Sequence, residues 1–543
     1  MDSDKKASNA GNIILVFIAM VMGTLIGVMF ASHQNRVNAD GSLQGKVAEV
    51  MDLVESEYVD EIDADSLGEE LLRAMLSQLD PHSIYLSYRE AQRTEEQLRG
   101  NFDGVGLVLH REGDTTYVGT VMAGGPSDGS GILPGDMIVR VDGVQVSGCG
   151  MPADSVVGHL RGPRRSTVTI EVSRMENGKE VPHGYRVRRG VVMQPSLPYS
   201  GMIDDTTGYI LLSAFTVTSH DEFHEALRQL CSKGMRHLIF DLRGNGGGSL
   251  EDAVGIAGEL LPAGSHIVYT QGAHQRRHNV YARPGGLFTT GRVTVMVDEE
   301  SASASEVVSG ALQDNDRALI VGRRTFGKGL VQREFVLGDG SSVLLTTARY
   351  YTPSGRSIQR PYTDGTDAYY RSYMERLVEE SYAEEPTMHV ADSTPYYTAG
   401  GRVVYGGGGI FPDHLLSYHR DTTLVYYNRL SAKGLVNRTA FAYVRAHAGQ
   451  LLERFKDAAD FNRRFVVDSQ LEGELVAAGE RSGIPLDRRS LETQRPLVRS
   501  MLKAYIGDAL FGREAMYPEL MKHDEDLKAV RKLKPVALGS KKK

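Results

Sequence analysis

The chain has 543 residues, more than a single domain usually contains, so the sequence predicts several domains and a large buried core. Its 69 acidic and 61 basic residues give a net charge of −8, which argues against a nucleic-acid partner. The only two cysteines, Cys149 and Cys231, fall in different predicted modules and indicate neither a structural disulfide nor a cysteine nucleophile.

The N-terminus carries an almost uninterrupted apolar stretch over residues 13 to 31, preceded by Lys5 and Lys6. About 20 apolar residues span a bilayer, and basic residues on the N-terminal side favour a cytoplasmic N-terminus and export of the rest. Because the apolar regions of cleaved signal peptides are usually shorter, we predict an N-terminal membrane helix within residues 1 to 31, an uncleaved signal anchor. A cleaved signal peptide is the alternative.

Residues 42 to 101 are predicted to be a helical segment. Apolar residues at helical spacing form one face, which ends before an Asp-Pro-His-Ser break at residues 80 to 83. The face consists of Leu71, Leu72, Met75 and Leu79.

Residues 102 to 190 show short strands and tight turns. A Leu-Pro-Gly-Asp turn at residues 133 to 136 leads into an Ile-x-x-Val-Asp-Gly hairpin, and the combination resembles a PDZ domain. Consecutive amides in a glycine-containing loop can bind a terminal carboxylate, and the next strand edge can accept the peptide by β-augmentation. A plain β-hairpin linker is the competing interpretation of the glycines alone. The residues that resemble the carboxylate-binding loop are Gly104, Val105, Gly106 and Leu107.

Residues 191 to 415 are predicted to form an α/β core. An apolar run at residues 293 to 297 is followed by Ser-Ala-Ser-Ala-Ser-Glu at residues 301 to 306 and then by a helical pattern. A serine there faces the N-terminus of a helix, whose free amides and dipole can stabilise negative charge on an attacked carbonyl oxygen. An ordinary helix cap is the competing interpretation.

A second strand, at residues 238 to 240, ends in the glycine-rich loop Arg-Gly-Asn-Gly-Gly-Gly at residues 243 to 248. Such a loop can present a backbone amide that pairs with the amide of Ala304 as an oxyanion hole. A phosphate cradle competes with this interpretation, but the lysine and hydroxyl spacing of a P-loop is missing.

Lys328 is flanked by Gly327 and Gly329 in an apolar neighbourhood that would desolvate its amine. Burial lowers the pKa of a lysine and can make it a general base near neutral pH. A surface lysine in a turn is the alternative. For the serine, a Ser-His-Asp triad is another alternative, although no spacing places a histidine beside the serines. The histidines in the same predicted domain are His220, His224, His237 and His266.

These segments together resemble the carboxyl-terminal processing (tail-specific) serine peptidases, which use a Ser/Lys dyad. The family pattern has a Ser-Ala-Ser-Ala-Ser-Glu segment, a Gly-Lys-Gly 25 positions after the nucleophile (328 minus 303) and a glutamine four positions after the lysine. The resemblance therefore implies Ser303 as nucleophile, rather than Ser301 or Ser305, with Lys328 as general base and Gln332 orienting the lysine. It also implies an oxyanion hole, which we place at Ala304 and Gly247, with Gly248 as second choice.

The same resemblance implies an endopeptidase that cleaves exported proteins near their C-terminus, through an acyl-enzyme and with PDZ recognition of the free tail. Expected substrates are proteins or peptides with apolar free C-termini, and neither a metal nor a cofactor is expected. Arg161 is a candidate for coupling the PDZ region to the catalytic site, and His82 is expected to be structural. The alternatives are a non-catalytic envelope PDZ scaffold and a hydrophobic-ligand-binding relative of the same fold.

The predicted fold class is therefore a multidomain α/β protein with an N-terminal membrane helix, a helical segment, a PDZ-like β domain, an α/β peptidase core and a helical C-terminal region. That last region, residues 416 to 543, could cover the core or mediate a homodimer; an envelope adaptor protein is a further candidate partner. The expected location is the bacterial cell envelope, anchored in the inner membrane with the bulk in the periplasm, or free in the periplasm if the first segment is cleaved.

Overall fold

The computed structural model describes residues 20–24, 42–176, 178–383, 392–418 and 424–533. The chain divides into two compact units, residues 1–79 and residues 80–543. In the first unit, helices α1 (Leu43–Glu57) and α2 (Ala64–Ser77) begin after Ser42 and Asp63, whose side chains accept hydrogen bonds from the first turn. The predicted membrane helix lies almost wholly outside the described residues. Of the helices that are described, none is long and apolar enough to cross a bilayer.

The second unit opens with β1 (Ile84–Leu86), α3 (Tyr88–Arg99) and β2 (Asn101–Gly104). A six-stranded antiparallel sheet follows in the PDZ-like region, with the order β3-β4-β5-β7-β8 and β6 paired to β5. Alternate residues of β7 point into its core, as the two-residue period of a strand requires: Val168, Ile170 and Val172 are at most 1% exposed. The elements are β3 (Leu107–Glu112), β4 (Thr115–Val121), β5 (Met137–Val141), β6 (Val144–Gln145), α4 (Ala153–Leu160), β7 (Thr167–Glu176) and β8 (Lys179–Arg188), and β9 (Gly190–Met193) pairs with β2.

A second six-stranded sheet forms the centre of the α/β core, with the order β10-β11-β12-β15-β16-β21. Its strands are parallel except for β10, and the inner strands around residues 238–240, 293–297 and 319–321 are mostly apolar because both faces are covered. The strands are β10 (Tyr199–Met202), β11 (Thr207–Leu211), β12 (His237–Asp241), β15 (Arg292–Val297), β16 (Leu319–Gly322) and β21 (His414–Leu415).

Helices cover both faces of this central sheet. One face packs on α5 (Ser219–Ser232), α6 (Leu250–Leu260) and α7 (Ala304–Asp314). On the other face, Tyr209, Ile239 and Met296 pack with Leu527 and Val530 of the last helix, α15 (Glu525–Lys532). The end of the C-terminal region thus covers the core, one of the two roles that the sequence left open.

A third sheet stands beside the central one, with the order β1-β18-β13-β14 and β17 paired to β18. Strand β1 therefore joins the start of the second unit to the hairpin that follows Lys328. The other strands are β13 (His266–Gly272), β14 (Gln275–Tyr281), β17 (Leu330–Val336) and β18 (Ser342–Tyr351).

The remaining elements are mostly helical. Helix α8 (Thr366–Tyr382) precedes the hairpin of β19 (Asp392–Tyr397) and β20 (Val403–Gly406). The C-terminal helices have a hydrophobic core of their own, in which Phe461, Leu475 and Leu502 are fully buried. They are α9 (Val425–Ala432), α10 (Leu435–Arg454), α11 (Ala458–Arg464), α12 (Ser469–Arg481), α13 (Arg488–Phe511) and α14 (Arg513–Met521), followed by α15.

Candidate active site

Ser303 occupies a sharp turn between the central strand β15 and helix α7. Its φ of +55° lies in the left-handed region, which residues other than glycine rarely adopt and which is typical of functional sites. Ser301 and Ser305 are fully buried, and their hydroxyls donate to the carbonyls of Leu242 and Asn245, both at 2.8 Å. Of the three serines, Ser303 is the one that is partly exposed.

Lys328 lies in the loop before β17, and its amine contacts a single oriented amide. The Lys328 Nζ donates to Gln332 Oε1 at 2.6 Å, and the Gln332 Nε2 donates to the carbonyl of His82. Burial lowers the pKa of Lys328 from its ordinary value of 10.5, while the carboxylates of Asp80 and Glu306 oppose that shift. A desolvated lysine whose pKa is lowered is suited to act as a general base.

Glu306 joins the serine turn to the lysine loop, a role that the sequence interpretation missed. Its buried carboxylate accepts from the N–H of Ser303 at 2.9 Å, and from the N–H groups of Gly327 and Lys328, both at 2.8 Å. The Thr325 hydroxyl donates to it at 2.5 Å. Burial raises the pKa of Glu306 to about 7, against the lowering effect of these four hydrogen bonds. One carboxylate thus fixes the backbone of both members of the predicted dyad.

Tyr350 makes a second connection between the same two segments. Its buried hydroxyl lies 3.0 Å from the carbonyl oxygen of Ser303 and within hydrogen-bonding distance of the carbonyl of Lys328. The Glu306 and Tyr350 contacts together bring Ser303 and Lys328 into one cluster.

The glycine-rich loop packs directly against the serine turn. A Cβ atom added to Gly247 would lie 2.8 Å from the Cβ of Ser303 and 3.0 Å from the amide nitrogen of Ala304, so only glycine fits there. The Gly247 N–H donates to Asn245 Oδ1 at 2.9 Å, and it would have to share that bond to hold an oxyanion. Within the described parts of the chain, the amides of Ala304 and Gly248 have no hydrogen-bond partner.

His82 lies beside this cluster as part of the Asp-Pro-His-Ser segment. Its ring meets Tyr369 edge-on, and its Nε2 lies 3.1 Å from the Tyr369 hydroxyl. Burial, together with nearby Lys328, lowers the pKa of His82 to about 4. Asp80 holds the segment by accepting from the N–H groups of His82 and Ser83, both at 2.9 Å. The segment therefore supports the site through Gln332.

Three of the four histidines considered for a triad have hydrogen-bond partners of their own, and the ring of the fourth, His266, packs against the rings of Tyr269 and Tyr281. His220 and His224 both contact the carboxylate of Glu259, at 3.1 and 2.8 Å, and His237 contacts the Thr294 hydroxyl at 3.0 Å. Over the residues that the structure describes, no histidine is hydrogen-bonded to Ser303, and no group of three metal-ligating side chains occurs.

The predicted carboxylate loop leads into the PDZ-like sheet, in a different part of the chain from the serine and lysine cluster. It connects β2 to β3, and β3 is the outer strand of its sheet, so one edge is open for a peptide strand. The four residues are Gly104, Val105, Gly106, with a φ of +72°, and Leu107.

Arg161 follows helix α4 and links the PDZ-like region to helix α3. Its Nη1 donates to Glu96 Oε2 at 2.7 Å, and its guanidinium lies 4.7 Å from the centre of the Phe102 ring. Helix α3 follows β1, which pairs with β18 in the same sheet as the strand after Lys328, so Arg161 contacts an element that connects to the lysine side of the site.

Comparison with known proteins places the two regions in named families. The family model for Peptidase family S41 matches residues 206–366, that for the PDZ domain residues 117–174, and a family of unknown function residues 426–512. The carboxy-terminal-processing protease of Bartonella bacilliformis is 31% identical over 353 residues, which cover 64% of this chain and 80% of the relative.

Two further matches carry related names. The carboxyl-terminal-processing protease of Synechocystis sp. is 34% identical over 297 residues, covering 53% of this chain and 68% of the relative. A solved structure, a photosystem II D1 C-terminal processing protease, matches with 29% identity and a TM-score of 0.34, over 59% of this chain and 85% of that chain.

Proposed function

Because this chain belongs to the carboxy-terminal processing proteases of peptidase family S41, and is a serine-type peptidase with a PDZ domain, we propose that Ser303 and Lys328 cleave protein substrates near their C-terminus. The observation that carries this assignment is the carboxylate of Glu306, which binds the backbone of both residues. The names of the relatives disfavour a non-catalytic scaffold or ligand carrier.

In the proposed reaction, the neutral amine of Lys328 takes the proton of the Ser303 hydroxyl as its oxygen attacks a peptide carbonyl. The negative charge on the carbonyl oxygen is stabilised by the Ala304 N–H, at the positive end of helix α7, together with the Gly247 or Gly248 amide. Protonated Lys328 then gives its proton to the leaving amine. A water molecule, deprotonated by Lys328 in turn, hydrolyses the acyl-enzyme.

Gln332 is proposed to orient the lysine. Its Oε1 accepts from the amine and its Nε2 is anchored on the His82 carbonyl, so the amide cannot flip without losing both bonds. The hydrogen bond from the Lys328 Nζ to Gln332 leaves the lone pair of the neutral amine available for the serine proton. Because the Gln332 side chain is neutral, it holds the amine without raising the pKa of Lys328 as a carboxylate would.

The PDZ domain is proposed to bind the free C-terminus of the substrate. The loop of residues 104–107 would hold the carboxylate, and the edge of β3 would pair with the apolar tail. Holding the tail raises the effective concentration of the adjoining chain at Ser303, which favours unfolded proteins over short peptides.

The proposed recognition is tested with an unfolded protein that ends in an apolar tail, offered to the full-length chain with a free or an amidated C-terminus. Amidation removes the carboxylate, so kcat/KM is expected to fall roughly tenfold or more. A short internal peptide without a tail, cleaved equally by both preparations, serves as control. Equal kcat/KM for the free and the amidated protein would contradict tail recognition.

Arg161 is proposed to couple tail binding to catalysis through Glu96 and helix α3. Arg161→Ala is expected to reduce the ratio of kcat/KM between the free and the amidated substrate, while cleavage of the tail-less peptide is retained. Arg164→Ala is a matched control, because Arg164 makes a more exposed ion pair with Asp103 at 2.9 Å. An unchanged ratio in the Arg161 variant would remove the coupling role.

The proposed location is the bacterial cell envelope, with the N-terminal apolar stretch anchoring the chain in the inner membrane and the rest in the periplasm, or with the whole chain released there after cleavage. The basic residues before the stretch and its length support this. A homodimer or an envelope adaptor protein remains a proposed partner of the C-terminal helical region.

A further inference from the structure

A cavity of about 1000 Å³ lies between helix α8 and the loops at residues 324 and 360–365. Four arginines line it, Arg324, Arg360, Arg371 and Arg376. Three carboxylates also line it, those of Asp364, Glu375 and Glu379, and all three residues are exposed at the rim. The lining therefore has a surplus of positive charge, and that charge is concentrated at the buried end.

Two arginines of the lining have guanidinium nitrogens that are covered by protein and lack hydrogen-bond partners. Arg360 is only 6% exposed, and its Nε and Nη2 are buried with no hydrogen-bond partner; its Nη1 donates to the Tyr369 carbonyl at 3.2 Å. The Nε and Nη2 of Arg376 are likewise buried and unpartnered. In the described part of the chain, neither arginine forms an ion pair. Buried polar groups are normally hydrogen-bonded, so four unpartnered nitrogens in one place call for an acceptor.

Aromatic rings compensate part of the charge, but their faces leave the Nε and Nη2 of Arg360 without an acceptor. The Arg360 guanidinium lies 4.6, 4.0 and 4.9 Å from the ring centres of Phe326, Tyr369 and Tyr373. Such contacts involve the face of the guanidinium, whereas hydrogen bonds leave in its plane. Burial also lowers the pKa of Arg324 to about 10; nearby Arg376 and Arg360 add to the shift, and the carboxylates of Glu380 and Glu306 oppose it.

We propose that this cavity binds a small molecule through a phosphate-type oxyanion, toward which Arg360 and Arg376 would turn their unpartnered nitrogens and which Arg371 would attract at the mouth. Guanidinium forks match the oxygen spacing of a phosphate and bind it by paired, charge-assisted hydrogen bonds. The volume exceeds that of an inorganic phosphate and falls at the upper end of small-molecule pockets, so the oxyanion would be one part of the ligand.

The same arginines contact the loop that carries Lys328. The Arg376 Nη1 donates to the Thr325 carbonyl at 3.0 Å, and the Arg360 backbone N–H donates to the Gly327 carbonyl at 3.0 Å. A ligand in the cavity would therefore bind groups that also hold the lysine loop. This site is separate from the peptide-binding sites proposed above, and it goes beyond the peptidase function.

The test is isothermal titration calorimetry of the full-length chain with inorganic pyrophosphate at constant ionic strength. Saturable binding is expected, weakened about tenfold or more by Arg371→Glu, which changes an exposed residue and leaves the buried packing intact, and by Arg376→Gln. Arg489→Glu, an exposed arginine on helix α13, is the matched control and should bind within twofold of the parent chain. Ser303→Ala should bind as the parent does, so the result does not depend on peptidase activity.

Three outcomes would overturn the proposal: no saturable heat with the parent chain, unchanged affinity in Arg371→Glu, or an equal loss in Arg489→Glu, which would indicate general surface charge. If Arg376→Gln does not fold, the Arg371 variant decides alone.

Discussion

Lys328→Ala is expected to lower kcat for protein cleavage by about 10⁴-fold, and Ser303→Ala by a similar factor. The nucleophile and the base act as a unit, so removing either one abolishes nearly all of the rate enhancement that the pair provides. Neither change should unfold the chain, since both residues are partly exposed and Glu306 binds their backbone rather than their side chains. Steady-state cleavage of a labelled substrate at saturating concentration measures kcat, and circular dichroism checks the fold.

Lys328→Arg is the matched control for charge. Arginine keeps the positive charge and the reach to Gln332, but it stays protonated at any accessible pH and cannot take the serine proton. It should therefore be as inactive as the alanine variant. Substantial activity in Lys328→Arg would show that the lysine acts only by its charge and would refute its role as the base.

The pH dependence follows from the same assignment. Burial lowers the pKa of Lys328 below 10.5, and only the neutral amine can act as a base. The cleavage rate of the parent chain should therefore increase as the pH rises through the pKa of Lys328 in the folded state, and the inflection of that pH profile should lie below 10.5. The Lys328 variants should lack that inflection in any residual activity.

Local sequence patterns were sufficient to identify much of this architecture. The continuous apolar runs of the central strands, and the helical pattern after residue 303, follow from burial on both faces of a parallel sheet. The relation of Ser303, Lys328 and Gln332 could be stated by family resemblance, and the structure brings these residues into one cluster. Of the histidines that the alternative triad would need, His220 and His224 contact Glu259, and His237 contacts Thr294.

Contacts between distant segments could not be predicted in this way. The Gln332 amide is anchored on His82, 250 positions earlier, because β1 pairs with β18. Glu306 stands in the motif itself, yet its four donors come from residues 303, 325, 327 and 328, whose convergence only the fold creates. Similarly, the apolar pattern of the last helix shows a buried face, but not that this face meets Met296 of the sheet.

Glu306→Gln is expected to lower kcat by about 10² to 10³-fold. The NH₂ group of the new amide would face backbone N–H groups whose hydrogen bonds the carboxylate of Glu306 now accepts. Each buried donor left without an acceptor costs about 1–3 kcal/mol, so the serine turn and the lysine loop should both loosen. The effect should fall on kcat rather than KM, since Glu306 positions the reacting groups and lies outside the PDZ domain. A loss confined to KM would contradict the positioning role.

The stability of this variant gives an independent measurement with a defined sign. Burial raises the pKa of Glu306 from 4.5 to about 7, so between these values the folded chain keeps a proton that the unfolded chain releases. The free energy of unfolding of the parent should therefore fall relative to Glu306→Gln as the pH rises from 4.5 through 7, by up to about 3 kcal/mol. Denaturant unfolding at a series of pH values measures this difference.

Glu472→Gln provides a control of opposite sign. Glu472 is also buried, but the hydrogen bonds of Arg499 and Arg495 outweigh burial and lower its pKa from 4.5. A lowered pKa in the folded state adds stability that is fully present above the unfolded pKa and is lost as the pH falls through the folded pKa. The free energy of unfolding of the parent should therefore increase relative to that of Glu472→Gln as the pH rises toward and through 4.5. Since Glu472 belongs to the C-terminal helices, kcat should stay within about twofold of the parent. If both variants gave the same pH slope, the buried carboxylate beside Ser303 would not hold the raised pKa on which the argument depends.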